Sequence, residues 1–393
     1  MDINDFSGQA RLDACPGALQ VHTAADGALA RVRIPGGALT SAQLRELADC
    51  AATLGSGVIE LTSRANVQVR GLRAPSEFAA RMAAAGLLPS ETHERVRNIL
   101  ASPLAGRAPS SLVDVRPLVA ALDRGLCAAP ELAALSGRFL FALDDGTGDV
   151  LSCGADVAFL ATSPSGGVLL LGGVRPGLPV GVADVVPLML VAARAFVELS
   201  DGTAWRVTDL PDGPALLAAH LPHTGPTPEG AGTVPQGVGV RDAGTVEQRD
   251  GRVALEVVVP LGRLTADQAA VLADAAPEAR VTPWRTVVLP DLTPDDVQPV
   301  ADRLAEAGLV TVPGTPWAGL TACTGRPGCA KSLADVQLDA RSWAEQPGQE
   351  PGDRPVHWAG CERRCGRPAG EVVDVVATPT GYRVAGRTEE EGA

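Results

Sequence analysis

Four cysteines in the last quarter of the chain carry the clearest chemical signal. Cys323-Thr-Gly-Arg-Pro-Gly-Cys329 forms a C-x5-C pair, and Cys361-Glu-Arg-Arg-Cys365 follows as C-x3-C. Thiolates are soft ligands, so four of them together point to zinc or to an iron–sulfur cluster. Zinc pairs are usually spaced by about two to four residues, and a gap of five is unusual for them. Gly325, Pro327, Gly328 and Gly366 let the backbone curl around a bulky group and turn amides toward its sulfurs. The remaining cysteines, Cys15, Cys50, Cys127 and Cys153, are scattered. Clustering of this kind favours metal over disulfides and suits a reducing compartment.

A second signal is an array of polar side chains. From Leu61 to Arg70 the sequence predicts one strand, with Thr62, Arg64, Asn66, Gln68 and Arg70 sharing one parity and hence one face. Such a face either meets water or binds something. Arg31 and Arg33 fall on the preceding strand, and Arg97-Asn98 follow in His93-Glu-Arg-Val-Arg-Asn98. Guanidinium forks suit carboxylates through paired hydrogen bonds. The net charge of −13 argues against nucleic acid as partner, so an anionic ligand has to be met by a local arginine cluster. Lys331 is the only lysine.

These groups need a scaffold, and an internal repeat provides it. IPGGALTSAQLRELAD from Ile34 resembles VPLGRLTADQAAVLAD from Val259, and GVIELTSRANVQVRGL from Gly57 lies over EARVTPWRTVVLPDL from Glu278. Each copy predicts strand, helix, strand, helix, with capping boxes at Thr40/Gln43 and Thr265/Gln268. The overlay sets Arg285 opposite Arg64. One half alone leaves an open sheet edge, so two halves are expected to pair into one pseudo-symmetric module. Between them the sequence predicts a helix over 118–126, a hairpin at Asp144-Asp145-Gly146, strands at Val157–Thr162 and Gly167–Gly172, and a buried helix from Val185 to Val197 started by Asp184.

The spacing of the cysteines, the repeat and the T-x-R-x-x-x-Q run at Thr62, Arg64 and Gln68 together resemble the sulfite/nitrite reductase superfamily over nearly the whole chain. The resemblance implies an α+β, internally duplicated fold: two paired ferredoxin-like half-domains plus two α/β domains, the last abbreviated. The boundaries become half-domain 1 at 10–88, α/β domain 1 at 89–222, a linker at 223–236, half-domain 2 at 237–312, the cysteine-bearing domain at 313–387, and a disordered tail at 388–393. It implies a [4Fe-4S] cluster on Cys323, Cys329, Cys361 and Cys365, with Cys365 in the place that bridges to sirohaem iron. It further implies that Arg31, Arg33, Thr62, Arg64, Asn66, Gln68, Arg70, Arg97, Asn98, Arg138 and Arg285 contact tetrapyrrole carboxylates.

Within the superfamily, RLDACPGAL from Arg11, HERVRNILASPLAG and HWAGCERRCGRP most resemble the precorrin-3B synthase branch. The reductases carry two active-site lysines in an L-P-x-K-F-K-like segment, where this chain has Leu135-Ser-Gly-Arg138-Phe-Leu140. Arginine essentially never gives up its proton, and leucine has none to give. The branch implies O2-dependent hydroxylation and lactonisation of precorrin-3A, a tetrapyrrole polycarboxylate. It also implies a mononuclear non-haem iron, with sirohaem the less expected cofactor. No dinucleotide fingerprint is present, so electrons are expected from a reduced pyridine nucleotide through a partner reductase, or from ferredoxin. A sirohaem sulfite or nitrite reductase and a non-catalytic iron–sulfur electron carrier are the competing readings. Ligands for a second iron are not legible: His93 with Glu91 or Glu94, and His220 with His223, have suitable atoms but not the usual two-histidine, one-carboxylate pattern. His357, four residues before Cys361, is expected to hydrogen-bond near the cluster. No signal peptide or membrane span is read, and the expected location is cytoplasmic.

Overall fold

The computed structural model describes residues 15–175, 177–222, 240–349, 352–368 and 370–385. The first repeat runs β1 (His22–Ala24), β2 (Gly27–Val32), β3 (Ala38–Thr40), α1 (Ser41–Leu54), β4 (Val58–Leu61), β5 (Val67–Leu72) and α2 (Pro75–Ala84). An α/β segment follows with β6 (Ile99–Ala101), α3 (Arg116–Cys127), β7 (Phe141–Asp144), β8 (Val157–Ser163), β9 (Gly166–Leu171), β10 (Leu178–Gly181), α4 (Val185–Ser200) and α5 (Gly213–His220). The second repeat gives β11 (Gly244–Glu247), β12 (Val253–Val258), β13 (Arg263–Thr265), α6 (Ala266–Ala275), β14 (Glu278–Val281), β15 (Thr286–Leu292) and α7 (Pro294–Glu306). The last segment holds β16 (Leu320–Ala322), α8 (Val336–Ala344), β17 (Val356–Ala359), β18 (Val373–Thr378) and β19 (Gly381–Ala385). Among the described residues no helix is long and apolar enough to cross a membrane.

The capping boxes form as the sequence predicts. Thr40 Oγ1 accepts from Gln43 N and Gln43 Oε1 accepts from Thr40 N, and Thr265 with Gln268 does the same. Each cap satisfies two amides that the first helical turn would leave without a partner. Thr40→Ala and Thr265→Ala are each expected to lower stability by about 1 kcal/mol, read as a shift in the denaturant midpoint. Leu44, Leu47, Ala51 and Leu54 put one apolar stripe of α1 against the equivalent stripe of α6, which carries Ala269, Leu272 and Ala273. The two halves thus share a single core.

Pairing of the halves goes beyond helix packing, because they exchange strands. One sheet has the order β1-β2-β5-β4-β13 and the other β11-β12-β15-β14-β3. The short strand before each helix therefore completes the other repeat's sheet and covers the edge that one half alone would expose.

Three local expectations are corrected. The run from Leu61 to Arg70 is a hairpin, not one strand: β4 stops at Leu61, Ala65 takes φ 52° in the turn, and β5 starts at Val67. The Asp144-Asp145-Gly146 stretch is not a hairpin, since β7 and β8 pair in parallel; Asp144 instead accepts from the Gly146 and Gly148 amides and closes a loop. Asp184 precedes α4 but makes no side-chain cap bond. Residues 223–236 and 388–393, read as linker and disordered tail, lie outside the described residues, as does His223.

Candidate functional site

The cysteine pairs come together because β16 and β17 are adjacent and parallel, with Ala322 paired to Trp358. Parallel neighbours end on the same side of a sheet, so the loops that leave them emerge side by side. Cys323 directly follows β16 and its amide donates to Trp358 O, while Cys361 lies just past the end of β17. The Gly360 amide donates to Cys323 Sγ at 3.2 Å. Burial pushes the Cys323 thiol above its ordinary pKa, amides of Gly360 and Gly325 oppose this, and Cys365 and Cys329 add to it as neighbours. Cys323, Cys329 and Cys361 are half-buried and Cys365 is exposed. Thiols gathered at one sheet edge, with an amide already directed at a sulfur, suit an iron–sulfur cluster.

Cys323 and Cys365 line a cavity of about 640 Å³ whose other walls come from both half-domains and from the α/β segment. That volume lies within the ordinary range for small-molecule sites. Among the described residues seven arginines line it, with Glu60 the one carboxylate in the wall. In a chain of net charge −13 this is a strong local inversion. Part of the wall is a ladder across four adjacent strands. Arg31 donates to Gln68 Oε1 at 3.0 Å, Gln68 Nε2 donates to Glu60 Oε2 at 2.5 Å, and Arg263 donates to Glu60 Oε1 at 2.5 Å. Their order follows the register Arg31–Gln68–Glu60–Arg263. Arg263 reaches this place only through strand exchange.

Of the residues selected from sequence, Arg31, Thr62, Arg64, Gln68, Arg70, Arg138 and Arg285 line the cavity. Arg64 donates to Gly137 O at 3.1 Å and makes no ion pair among the described residues. Burial, and secondarily Arg206, draws its pKa down to about 10. Arg138 sits over the Trp205 ring at 4.4 Å. Leu140 is buried, its amide donating to Asp156.

The other four do not line this cavity. Arg97 is held bidentate by Asp123, both contacts at 2.7 Å. Asn66 accepts from Ile34 N and donates to Asn98, whose own amide donates to the Gly137 and Phe139 carbonyls. Arg33 donates to Pro16 O and Arg95 O, and burial lowers its pKa to about 9. These four are bonded within the protein, and Arg33 and Arg97 line a separate cavity of about 250 Å³ instead. The alternation argument selected Asn66 because it treated a hairpin as one strand. The overlay of the repeats is also one residue out. Thr62 with Ala65 and Thr282 with Arg285 make the same turn bonds, and Ala65 and Arg285 both have positive φ, so Trp284 rather than Arg285 stands opposite Arg64.

Three histidines are bonded to neighbours within the fold, while exposed His22 lines the cavity. His93 is bonded to Ser90 and to Ala129 O, and His220 to Leu216 O. His357 is fully buried on β17, bonded through Nδ1 to Thr321 Oγ1 at 2.9 Å. Burial, then Arg285, pushes its pKa down to about 4, so the ring is neutral. Glu94 accepts from the amides of Ala18, Leu19 and Gln20, and so latches the segment that brings Cys15 to the cavity. Sequence reasoning offered Glu94 only as an iron ligand, and nothing local marks it as a latch. Asp144, Asp145 and Asp149 have carboxylate oxygens within 4.8 Å of one another. They are occupied by loop amides, Ser102 and Thr147, with Arg241 beside Asp149.

Comparison with known proteins agrees with this architecture. The model for the nitrite/sulfite reductase ferredoxin-like half domain matches residues 22–76 and 246–307. A precorrin-3B synthase from Sinorhizobium sp. is 28% identical, with 95% of this chain and 82% of the relative aligned. A ferredoxin–nitrite reductase from Synechococcus elongatus is 29% identical over 88% of this chain and 75% of the relative. The solved structure of Mycobacterium tuberculosis NirA protein has the same fold, with TM-score 0.69 and 23% identity over 86% of this chain and 69% of that one.

Proposed function

We propose that this chain, a member of the nitrite/sulfite reductase superfamily, is an iron–sulfur oxidoreductase of precorrin-3B synthase type that hydroxylates a tetrapyrrole polycarboxylate. The observation that carries this is the arginine-lined cavity opening onto Cys323 and Cys365. A macrocycle bearing several carboxylates matches both the volume and the charge of such a wall. Similarity to a precorrin-3B synthase over nearly the whole chain supports the same substrate class.

Cys323, Cys329, Cys361 and Cys365 would hold a [4Fe-4S] cluster, which supplies one-electron transfer when bound. Arg31, Arg64 and Arg138 bind and orient substrate carboxylates from the half-domain side. Conversion of precorrin-3A is a monooxygenation: one oxygen atom of O2 enters the ring, and two electrons and two protons reduce the other to water. The ring A acetate then closes the lactone. Electrons come from an external donor, a reduced pyridine nucleotide acting through a reductase, or a ferredoxin. Reduction of sulfite or nitrite to completion needs six electrons and many protons, and the lysine positions are filled by Arg138, engaged with Trp205, and by buried Leu140. Neither is a usable proton donor.

The test is anaerobic purification followed by absorption spectroscopy, tetrapyrrole titration and a reduced-viologen assay. The expected result is a cluster spectrum without coupled sirohaem bands, saturable tetrapyrrole binding, and little reduction of sulfite or nitrite. Tightly bound sirohaem with robust turnover to sulfide or ammonia would overturn the synthase reading in favour of a reductase. A cluster with no tetrapyrrole affinity would leave an electron carrier.

A further inference from the structure

Two of the cavity arginines, Arg70 and Arg285, hold backbone carbonyls of the cysteine loops. Arg70, on β5 of the first half-domain, forks Asp26 with both contacts at 2.8 Å and donates from Nη2 to Gly328 O at 3.2 Å. Gly328 immediately precedes Cys329. Arg285, in the turn before β15 of the second half-domain, donates from Nη2 to Gly366 O at 2.5 Å. Gly366 immediately follows Cys365. Each half-domain thus sends one buried arginine to the backbone carbonyl beside one cysteine of each pair.

The surroundings of both contacts are shaped to admit them. A Cβ on Gly262 would stand 2.4 Å from Arg285 Cδ, so only glycine clears the arginine stem. A Cβ on Gly328 would stand 2.8 Å from Thr324 and 3.1 Å from an Asp26 carboxylate oxygen, so a side chain there would press on the Arg70–Asp26 fork. Arg285 also holds φ 62°, a left-handed conformation that a non-glycine residue adopts only where surrounding contacts impose it. It forms no ion pair among the described residues, and burial lowers its pKa to about 10. A buried cation with no bonded carboxylate among the described residues, Glu60 acting on it only through space, needs a reason.

We infer that Arg70 and Arg285 are positioning residues that clamp the C-x5-C and C-x3-C loops onto the two half-domains, rather than ligands for substrate carboxylates. The inference rests on the cluster reading above. Arg285 has a second consequence. A cluster gains negative charge on reduction, so a nearby buried cation stabilises the reduced form and raises the midpoint potential.

The experiment compares wild type with Arg70→Met, Arg285→Met, Arg285→Lys and Gly262→Ala after anaerobic reconstitution with iron and sulfide. Iron and sulfide content, the electron paramagnetic resonance line shape of the reduced protein, its midpoint potential, and survival in air are read. Both methionine variants are expected to lose the cluster in air several-fold faster and to show a broadened or shifted resonance. Arg285→Met lowers the midpoint potential, and Arg285→Lys restores most of it. Wild-type content, line shape, potential and air survival in both methionine variants would overturn the assignment. Should Arg285→Met not fold, Gly262→Ala decides, because its Cβ displaces the Arg285 stem, and unchanged signatures in it together with those in Arg70→Met have the same force. Failure of wild type to take up iron and sulfide would instead remove the cluster reading itself, and the clamps with it.

Discussion

Changing any one of Cys323, Cys329, Cys361 or Cys365 to serine is expected to abolish stable iron and sulfide binding, the largest single-residue effect in this protein. A serine oxygen is a harder, less readily ionised donor than a thiolate, and iron–sulfur clusters are held by thiolates. Serine at Cys153 should leave the metal content of wild type, because burial pushes that thiol to about 12 and it belongs to neither cysteine pair. Cys50, likewise pushed to about 12 mainly by burial, sits in the shared core. Cys15 is the sharper control, since it lines the same cavity as Cys323 and Cys365 and yet belongs to neither pair. Iron and sulfide analysis of the four paired-cysteine variants beside the Cys153 and Cys15 controls decides the matter. Full clusters in all four mutants of the paired cysteines would show that the metal, if any, is held elsewhere.

Arg64→Ala and Arg97→Ala are expected to fail in different ways, although the sequence treats both as carboxylate ligands. Arg64 lines the cavity, has no carboxylate partner among the described residues, and gives one bond to Gly137 O. Removing it should weaken tetrapyrrole binding by roughly 1–3 kcal/mol, the scale of a charge-assisted hydrogen bond lost at a buried site. Arg64→Lys should recover only part of that, because a point charge cannot reproduce a planar fork. Arg97→Ala instead strands Asp123, whose side chain is 19% exposed, by breaking a two-bond pair. The expected cost is about 3 kcal/mol of folding stability, toward the lower end for breaking a buried ion pair. Tetrapyrrole titration and denaturant unfolding of both variants separate the cases. Wild-type affinity in Arg64→Ala would exclude that side of the cavity from substrate binding.

The contrast marks where sequence reasoning stops. Glycine-flanked cysteine pairs and the duplicated capping boxes were legible because each is written in neighbouring residues: ligand spacing and cap geometry are local properties. Sequence alone therefore determined the duplication, the pairing of two halves and the four cysteines as one candidate set. What it could not determine was where each arginine would point. Arg64, Arg70 and Arg97 look alike in the chain. Their fates diverge because Asp26 waits for Arg70 across a turn and Asp123 for Arg97 on a separate helix, while Arg64 bonds no carboxylate among the described residues. The hairpin at Thr62–Asn66 and the shift of Arg285 by one place were hidden for a related reason. A residue with positive φ in a turn reverses the chain, and neither Ala65 nor Arg285 advertises that conformation as glycine would. Strand exchange lay furthest from view. β3 and β13 are three residues each, too short to encode a partner, and only the open edges of the two completed sheets decide which one each joins. That exchange carries Arg263 into the cavity wall, so part of the site is assembled by contacts that no local pattern contains.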